Sequence, residues 1–416
     1  MNKKYFLIFL AMFITVLMST TAFAEYDLGG ATVNYVTFVT YVFDDFPEIQ
    51  ERMAEAEEKF NCEINIVRSS WGEDIEEMTT RFLAGESEYD IWRVDTNSIF
   101  SMAADDMLYP LDTALSQDYY DSLPDVARTI IDATEYKGHK YGIGASDYSN
   151  ALDGLYFLGY NVEKFEEAGL PDPYEQYLEG EWTWSSYEVA LDTFTEDTDG
   201  DGEIDHWAID FFHAQTMVIS NGGSFSRVDE EGNILFNGTD EKVIDTLNQI
   251  QEWNAKGYAA GWGEHFFEGQ TAMIDGPLWR TREQDTDFTM GVVPYPKGPG
   301  ADDYSFPLFA FNLYAIPANS AAPEALVAIH DYLWPPEEAE DNFLDTTMVW
   351  YRNRQAYEMV MTGVENWNLD DTLTYYGYMD IAEDIDTVIN EGENPTTVMN
   401  SIEPEVQARL DDLFNN

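Results

Sequence analysis

From Ala31 to Val94 the chain changes its apolar rhythm from segment to segment, and this alternation restricts the available folds more than any other stretch. Ala31 to Val39, rich in Val, Thr, Tyr and Phe, predicts a strand. Phe46, Ile49, Met53, Ala56 and Phe60 then recur at helical spacing, with Asp44 or Asp45 available as the cap. Glu63 to Val67 predicts a second strand. Asp74 to Ala84 predicts a second helix with Ile75, Met78 and Phe82 on one face, stopped by Gly85, and Tyr89 to Val94 a third strand. Strand, helix, strand, helix, strand within about 65 residues is the pattern of a parallel, doubly wound α/β sheet. Ligands of such sheets bind beyond the carboxyl ends of the strands, where Thr40, Tyr41, Trp71 and Asp95 fall.

The alternation returns further on. Glu241 to Lys256 is an amphipathic helix pattern ended by Gly257; Thr271 to Ile274, Met290 to Val293 and Ala310 to Ile316 read as strands. A helix begins near Pro323 and closes at Pro335-Pro336, and Thr396 to Phe414 is a last helix pattern. At 416 residues the chain exceeds the roughly 250–300 at which a single core stops growing, so two domains are expected. No internal repeat or low-complexity linker separates them, which leaves short crossovers as the joints.

Charge excludes several partners. The chain has 80 acidic against 20 basic side chains, a formal net charge of -60, yet 44% of it is hydrophobic and 15% aromatic, so it has ample core material. Such a surface repels nucleic acid phosphates and anionic lipid headgroups, and disfavours polyanionic substrates. Met1 to Lys4 is basic, Tyr5 to Leu17 is an apolar run broken only by Thr15, and Ala22-Phe23-Ala24 supplies small residues. This is the layout of a secretory signal peptide (residues 1–24), with cleavage expected before Glu25. The run is shorter than the roughly 20 residues that span a bilayer, so a membrane anchor fits less well. Cleavage removes two lysines and no acid, taking the net charge to -62. The single cysteine, Cys62, permits no intramolecular disulfide and reads as a small buried hydrophobe. No cysteine follows the apolar run for lipid attachment, so a soluble, exported protein, periplasmic or at the cell surface, is expected.

One run carries metal-ligand chemistry. Asp197, Asp199, Asp201 and Asp205 occupy positions 1, 3, 5 and 9 of a loop with Glu203 between them and Gly202 at the turn. Alternating hard oxygen ligands converge on a cation, and a glycine allows the sharp bend that Ca²⁺ loops need. Ala208 stands where a twelfth-position acid would complete the set, and Asp210 lies two residues beyond. A structural Ca²⁺ and a solvated acidic turn both fit; no organic cofactor is called for.

Several stretches, taken in order, resemble the extracellular solute-binding proteins of ABC importers, the family-1 group that includes maltodextrin binders. Tyr89-Asp90-Ile91-Trp92-Arg93-Val94-Asp95 is similar to that family's strand ending in a binding-site aspartate. Leu108-Tyr109-Pro110-Leu111-Asp112, Tyr136 to Ile143 and Leu158-Gly159-Tyr160-Asn161 follow in the family's order, as do Phe165 to Pro173 and the Trp182 to Phe194 passage. Phe267 to Trp279, which contains Gly269-Gln270, Ala272-Met273 and Gly276-Pro277-Leu278-Trp279, resembles its most distinctive signature, and Val293 to Pro299 comes next. Gln270 stands in place of a frequent lysine, and Trp279 is third after Gly276 rather than first or second.

The resemblance implies a two-lobed periplasmic-binding-protein fold of the Venus-flytrap type II kind, with a hinge between lobes. The N-terminal lobe would take residues 25–145 plus 307–345 and the C-terminal lobe 146–306 plus 346–416, with crossovers near Ala145–Tyr148, Phe306–Phe309 and Asp345. A monomer would close on a carbohydrate, most simply an oligosaccharide, and present it to an ABC permease, without catalysis or membrane insertion. Aromatic faces would stack on pyranose rings while polar side chains take the hydroxyls. The implied contacts are Asp95, Trp279, Asp147, Tyr148, the Asn221-Gly222-Gly223 loop, Tyr41, Trp71 and Trp350, with Trp262 ranked last. Rival readings are a secreted glycoside hydrolase and a binder of a peptide or polyamine. No nucleophile elbow, zinc motif or phosphate loop supports an enzyme, and the five histidines show no ligand spacing.

Overall fold

The structure, a computed structural model, describes residues 26–70, 74–144, 151–263, 265–281, 286–309, 313–338, 341 and 351–415. Two compact units emerge: Met1–Arg93 with Asp106–Leu123 and Ala315–Pro336, and Val94–Asp105 with Pro124–Tyr314 and Glu337–Asn416.

In the first unit the expected alternation folds as strands β1 (Ala31–Thr37), β2 (Cys62–Arg68) and β3 (Asp90–Val94) with helices Pro47–Phe60 and Asp74–Ala84 between them. β1 lies between β2 and β3 and pairs in parallel with both, Tyr35 lying opposite Ile66 on one side and Ile91 on the other. Every residue of β3 is buried, as a strand covered on both faces must be. The Pro47–Phe60 helix is not capped by Asp44 or Asp45, as the sequence suggested. Those two residues end a separate short helix, Tyr41–Asp45, and Pro47 begins the longer one behind an extended Phe46. Proline lacks the N–H that a first helical residue leaves unused, and its fixed φ suits that position. Cys62 opens β2 half-buried, and burial followed by the Glu57 charge pushes its thiol up to about 11, which makes it inert.

The second unit is built on a four-stranded sheet: β4 (Tyr156–Asn161), β5 (Trp207–Ile209), β6 (Thr271–Pro277) and β7 (Met290–Val293), in the order β7-β4-β6-β5. The sheet is mixed. β6 runs parallel to β5 but antiparallel to β4, and β7 is antiparallel to β4, so parallel pairing throughout does not hold here. β4 and β6 are buried at every residue. Helix Glu241–Ala255, capped by the Asp240 carboxylate accepting from the Lys242 N–H, buries Val243, Leu247, Ile250 and Trp253. Trp253 meets Trp184 and Tyr187 edge-on, 5.6 and 5.5 Å between ring centres, so these two tryptophans are core.

Candidate functional site

The parallel pair β5 and β6 positions the principal site, wholly within the second unit. Beyond β5 the chain continues Asp210-Phe211-Phe212-His213; beyond β6 it turns into the four-residue helix Leu278–Thr281. Asp210 is fully buried and accepts from the Thr271 hydroxyl (2.8 Å) and from Arg280 Nη2 (2.8 Å). The Arg280 guanidinium, itself 5% exposed, also donates to the carbonyls of Asp275 (3.2 Å) and Gly263 (3.1 Å). Gly276 makes room for it. At φ +141 it adopts a backbone that L side chains rarely take, and a Cβ there would stand 2.8 Å from Arg280 Cδ.

Above the guanidinium lies an aromatic shelf. Arg280 Cζ sits 4.2 Å from the centre of the Trp262 ring and 5.4 Å from that of Phe211, whose rings are 4.9 Å apart. Backbone bonds set this up: Ala260 N–H donates to Ile209 O and Gly261 N–H to Asp210 O, so the segment carrying Trp262 is laid alongside the end of β5. Trp262 remains 68% exposed. Indole surface kept in water at this level, on a fixed loop, is available for contact.

Beneath the shelf are two buried groups with displaced proton equilibria. Asp275 Oδ2 accepts from the His213 N–H at 2.9 Å. Burial pushes the Asp275 carboxyl up to about 8, against the opposing pull of that N–H and of Arg280. Burial, then the Arg280 charge, pushes the His213 imidazole down to about 4. Both are therefore neutral near pH 7, and the Arg280–Asp210 pair cancels internally. The floor under the rings carries no net charge.

The shelf opens on a hollow of about 620 Å³. Its lining includes Phe211, His213, Gln215, Trp262, Tyr376 and Asn390, with Asp386 its one carboxylate. The size and the mix of rings with amides and a phenol suit a small polar organic ligand.

Of the residues singled out from sequence, those the structure describes fall at separate places. Asp95 spends its carboxylate on a turn: Oδ1 accepts from the Asn97 N–H (2.9 Å) and the Ser98 hydroxyl (3.0 Å), just ahead of helix Ile99–Ala104. The Asn221 side chain is 2% exposed and engaged in hydrogen bonds. It donates to Lys242 O and Thr246 Oγ1 and accepts from the Gly300 N–H, because the loop needs a polar bracket to hold it against the Glu241–Ala255 helix. Gly222 and Gly223 line a different hollow, of about 570 Å³, beside Lys242, Asp302 and Asp370. Trp279 is 42% exposed on the Leu278–Thr281 turn. Trp71, Asp147, Tyr148 and Trp350 lie outside the described residues, as does the side chain of Tyr41. Phe211, His213, Asp275 and Arg280 were not singled out. Trp262 was ranked last, although glycines on both sides of a tryptophan were the one visible signal.

In the acidic loop, Asp197, Asp199 and Asp205 bring carboxylate oxygens within 4.8 Å of one another. Asp201 and Glu203 do not join them; Asp201 accepts instead from the Glu203 N–H at 2.9 Å. Asp210 cannot complete this set, because it is buried against Arg280.

Comparison with known proteins defines the class. The family described as bacterial extracellular solute-binding protein matches residues 51–349, and the chain belongs to it. Its members bind solutes outside the cytoplasm, and among the described residues no helix is long and apolar enough to cross a membrane. An ABC substrate-binding protein from Listeria monocytogenes, solved with cycloalternan, is similar in fold: TM-score 0.70, 16% identity, over 91% of this chain and 98% of that one. The GacH receptor of Streptomyces glaucescens, solved unliganded and with acarbose, superposes with TM-score 0.66 at 15% identity, over 92% and 99%. The maltose/maltodextrin-binding domain from Bdellovibrio bacteriovorus, bound to maltotriose, gives 0.64 at 17% identity, over 92% and 100%. These likenesses establish the two-lobed solute-binding fold. No curated protein matches the chain by sequence.

Proposed function

We propose that this protein is the exported binding component of an ABC importer and that its solute is a neutral carbohydrate, taken without chemical change. The observation that carries the reading is the Phe211–Trp262 shelf over a floor of no net charge, opening on a hollow lined by amides and a phenol. A pyranose offers an apolar face to a ring and hydroxyls to Gln215, Tyr376 and Asn390, whereas an anionic solute finds no basic side chain in that lining to neutralise it. Sugars bound to proteins of similar fold add support. The basic and apolar amino terminus supports export with cleavage before Glu25, and the family supports delivery to a permease. The Asp197, Asp199 and Asp205 carboxylates support a structural Ca²⁺ in the acidic loop.

The test is a thermal-shift and calorimetric titration with maltotriose, mannotriose and cycloalternan, followed by product analysis. Saturable binding with a raised melting temperature and intact sugar is expected. Newly released reducing ends would point to a hydrolase, and binding of spermidine or peptides but of no sugar would replace the carbohydrate reading.

A further inference from the structure

We infer that Arg280 is a positioning and specificity-determining residue: it fixes Trp262 as the ring on which solute stacks, and its charge behind that ring turns the site against cationic solutes. The inference rests on the carbohydrate reading above and names the class of ligand refused.

The positioning follows from the bonds of one guanidinium. Nη2 holds Asp210 on β5's continuation and the Gly263 carbonyl next to Trp262; Nε holds the Asp275 carbonyl on β6. The end of β5, the loop at Gly263 and the end of β6 are thereby tied to the same planar group, and the Trp262 ring lies on it at 4.2 Å. A planar fork with fixed donors can do this; a lysine ammonium cannot reproduce the geometry. Because Arg280 is 5% exposed while Trp262 is 68% exposed, the ring screens the guanidinium from water, and the ligand meets the ring's remaining surface.

Selectivity follows from electrostatics. An indole normally attracts cations through the negative charge above its face. Here a guanidinium already occupies one face, so a second cation on the other would meet a like charge through the ring, a repulsion that Asp210 weakens and water over the exposed ring screens in part. The chain has reason to need this. With 80 acids against 20 basic residues its surface draws cations in, and an ordinary exposed tryptophan would bind them. Asp210 offsets the Arg280 charge only at its buried end, 2.8 Å from Nη2, while the ring covers the other.

The test pairs Arg280→Gln and Arg280→Lys with two probes, maltotriose and spermidine, and with one spectroscopic readout. Trp262 emission is isolated as the difference between each protein and its Trp262→Phe form. The unaltered protein should prefer maltotriose over spermidine. In Arg280→Gln that preference should fall on the order of tenfold, with a changed Trp262 difference spectrum. Arg280→Lys, which keeps the charge but not the fork, should retain most of the preference while its Trp262 spectrum changes. Should Arg280→Gln fail to fold, Arg280→Lys still decides: an unchanged Trp262 spectrum overturns the positioning role, and a lost preference overturns the role of charge. An equal weakening of both probes in Arg280→Gln marks a merely structural arginine and also overturns the inference. Failure of the unaltered protein to bind any sugar sinks the functional reading instead, while the difference spectra still judge positioning.

Discussion

Exposed and buried acids of the second unit behave in opposite ways, even where only four residues separate Asp205 from Asp210. In the loop Asp197 to Asp205 the carboxylates are exposed and held by backbone donors: Gly200 and Gly202 N–H on Asp197 at 2.6 and 2.9 Å, and the Thr198 N–H and hydroxyl on Asp205 at 2.7 and 2.5 Å. Those bonds hold the Asp205 carboxyl below its usual range. Asp210 and Asp275 are instead sealed under the aromatic shelf, one neutralised by Arg280 and the other by its own proton. Solvation decides between the two outcomes. In water, acids can gather and wait for a cation; in the interior, each must acquire a partner or lose its charge. The large negative charge of this chain is thus a property of its surface, while its candidate site is close to neutral.

Breaking the buried pair should produce the largest effect. Arg280→Met takes the guanidinium away from the buried Asp210 carboxylate, and urea unfolding should show a loss of about 3–5 kcal/mol. Adding Asp210→Asn should recover part of it, because the two changes share one interaction. If Asp197→Ala proves as costly as Arg280→Met, the contrast between exposed and buried acids fails.

The second effect lies in pH, and its sign follows from two opposed shifts. Asp275 keeps its proton in the folded chain up to about 8, against 3.8 when unfolded, so its contribution is full below 3.8 and lost as pH rises towards 8. His213 runs the other way. Its folded value is about 4 against 6.5, so its contribution holds above 6.5 and is lost as pH falls towards 4. Between about 4 and 6.5 the slopes cancel, and from 6.5 to 8 Asp275 acts alone. Stability should therefore fall by about 2 kcal/mol over that last interval, and Asp275→Asn should flatten it. A level profile in the unaltered protein would show that the Asp275 carboxyl is solvated after all.

Much of this was legible in sequence where the signal is periodic. The Asp74–Ala84 helix and the Met290–Val293 strand begin and end where spacing put them: Gly85 stops the helix, though Ile75 on its apolar face stays exposed, and the strand is buried throughout. Strand direction was not legible: nothing in Thr271–Pro277 says that it will run against β4 and with β5. The site was harder still, since Asp210 and Arg280 are 70 residues apart and meet only once that direction is set. Asp210 consequently read as a late loop ligand, and Trp279, inside a recognisable motif, outranked Trp262. Gly261, at φ +102 beside Trp262, marked a ring held out on a bent backbone, a cue that needs the structure to interpret.

The smallest effect is the one that belongs to the exposed stretch. Its three gathered carboxylates are already oriented by backbone donors, so a cation would gain ligands without reorganising the loop. Adding millimolar Ca²⁺ to chelator-treated protein should raise the melting temperature by on the order of 4 °C, a linkage effect that depends on binding to the folded chain alone. Asp205→Asn should abolish that rise while leaving the chelator-treated melting temperature nearly unchanged, because an exposed carboxylate contributes little by itself. The opposite pattern, a large loss without calcium and an intact calcium response, would mean that Asp205 serves as a turn-forming acceptor for Thr198 and not as a ligand. The loop would then be one more solvated part of an acidic surface, and the distinction between gathered and buried acids would rest on burial alone.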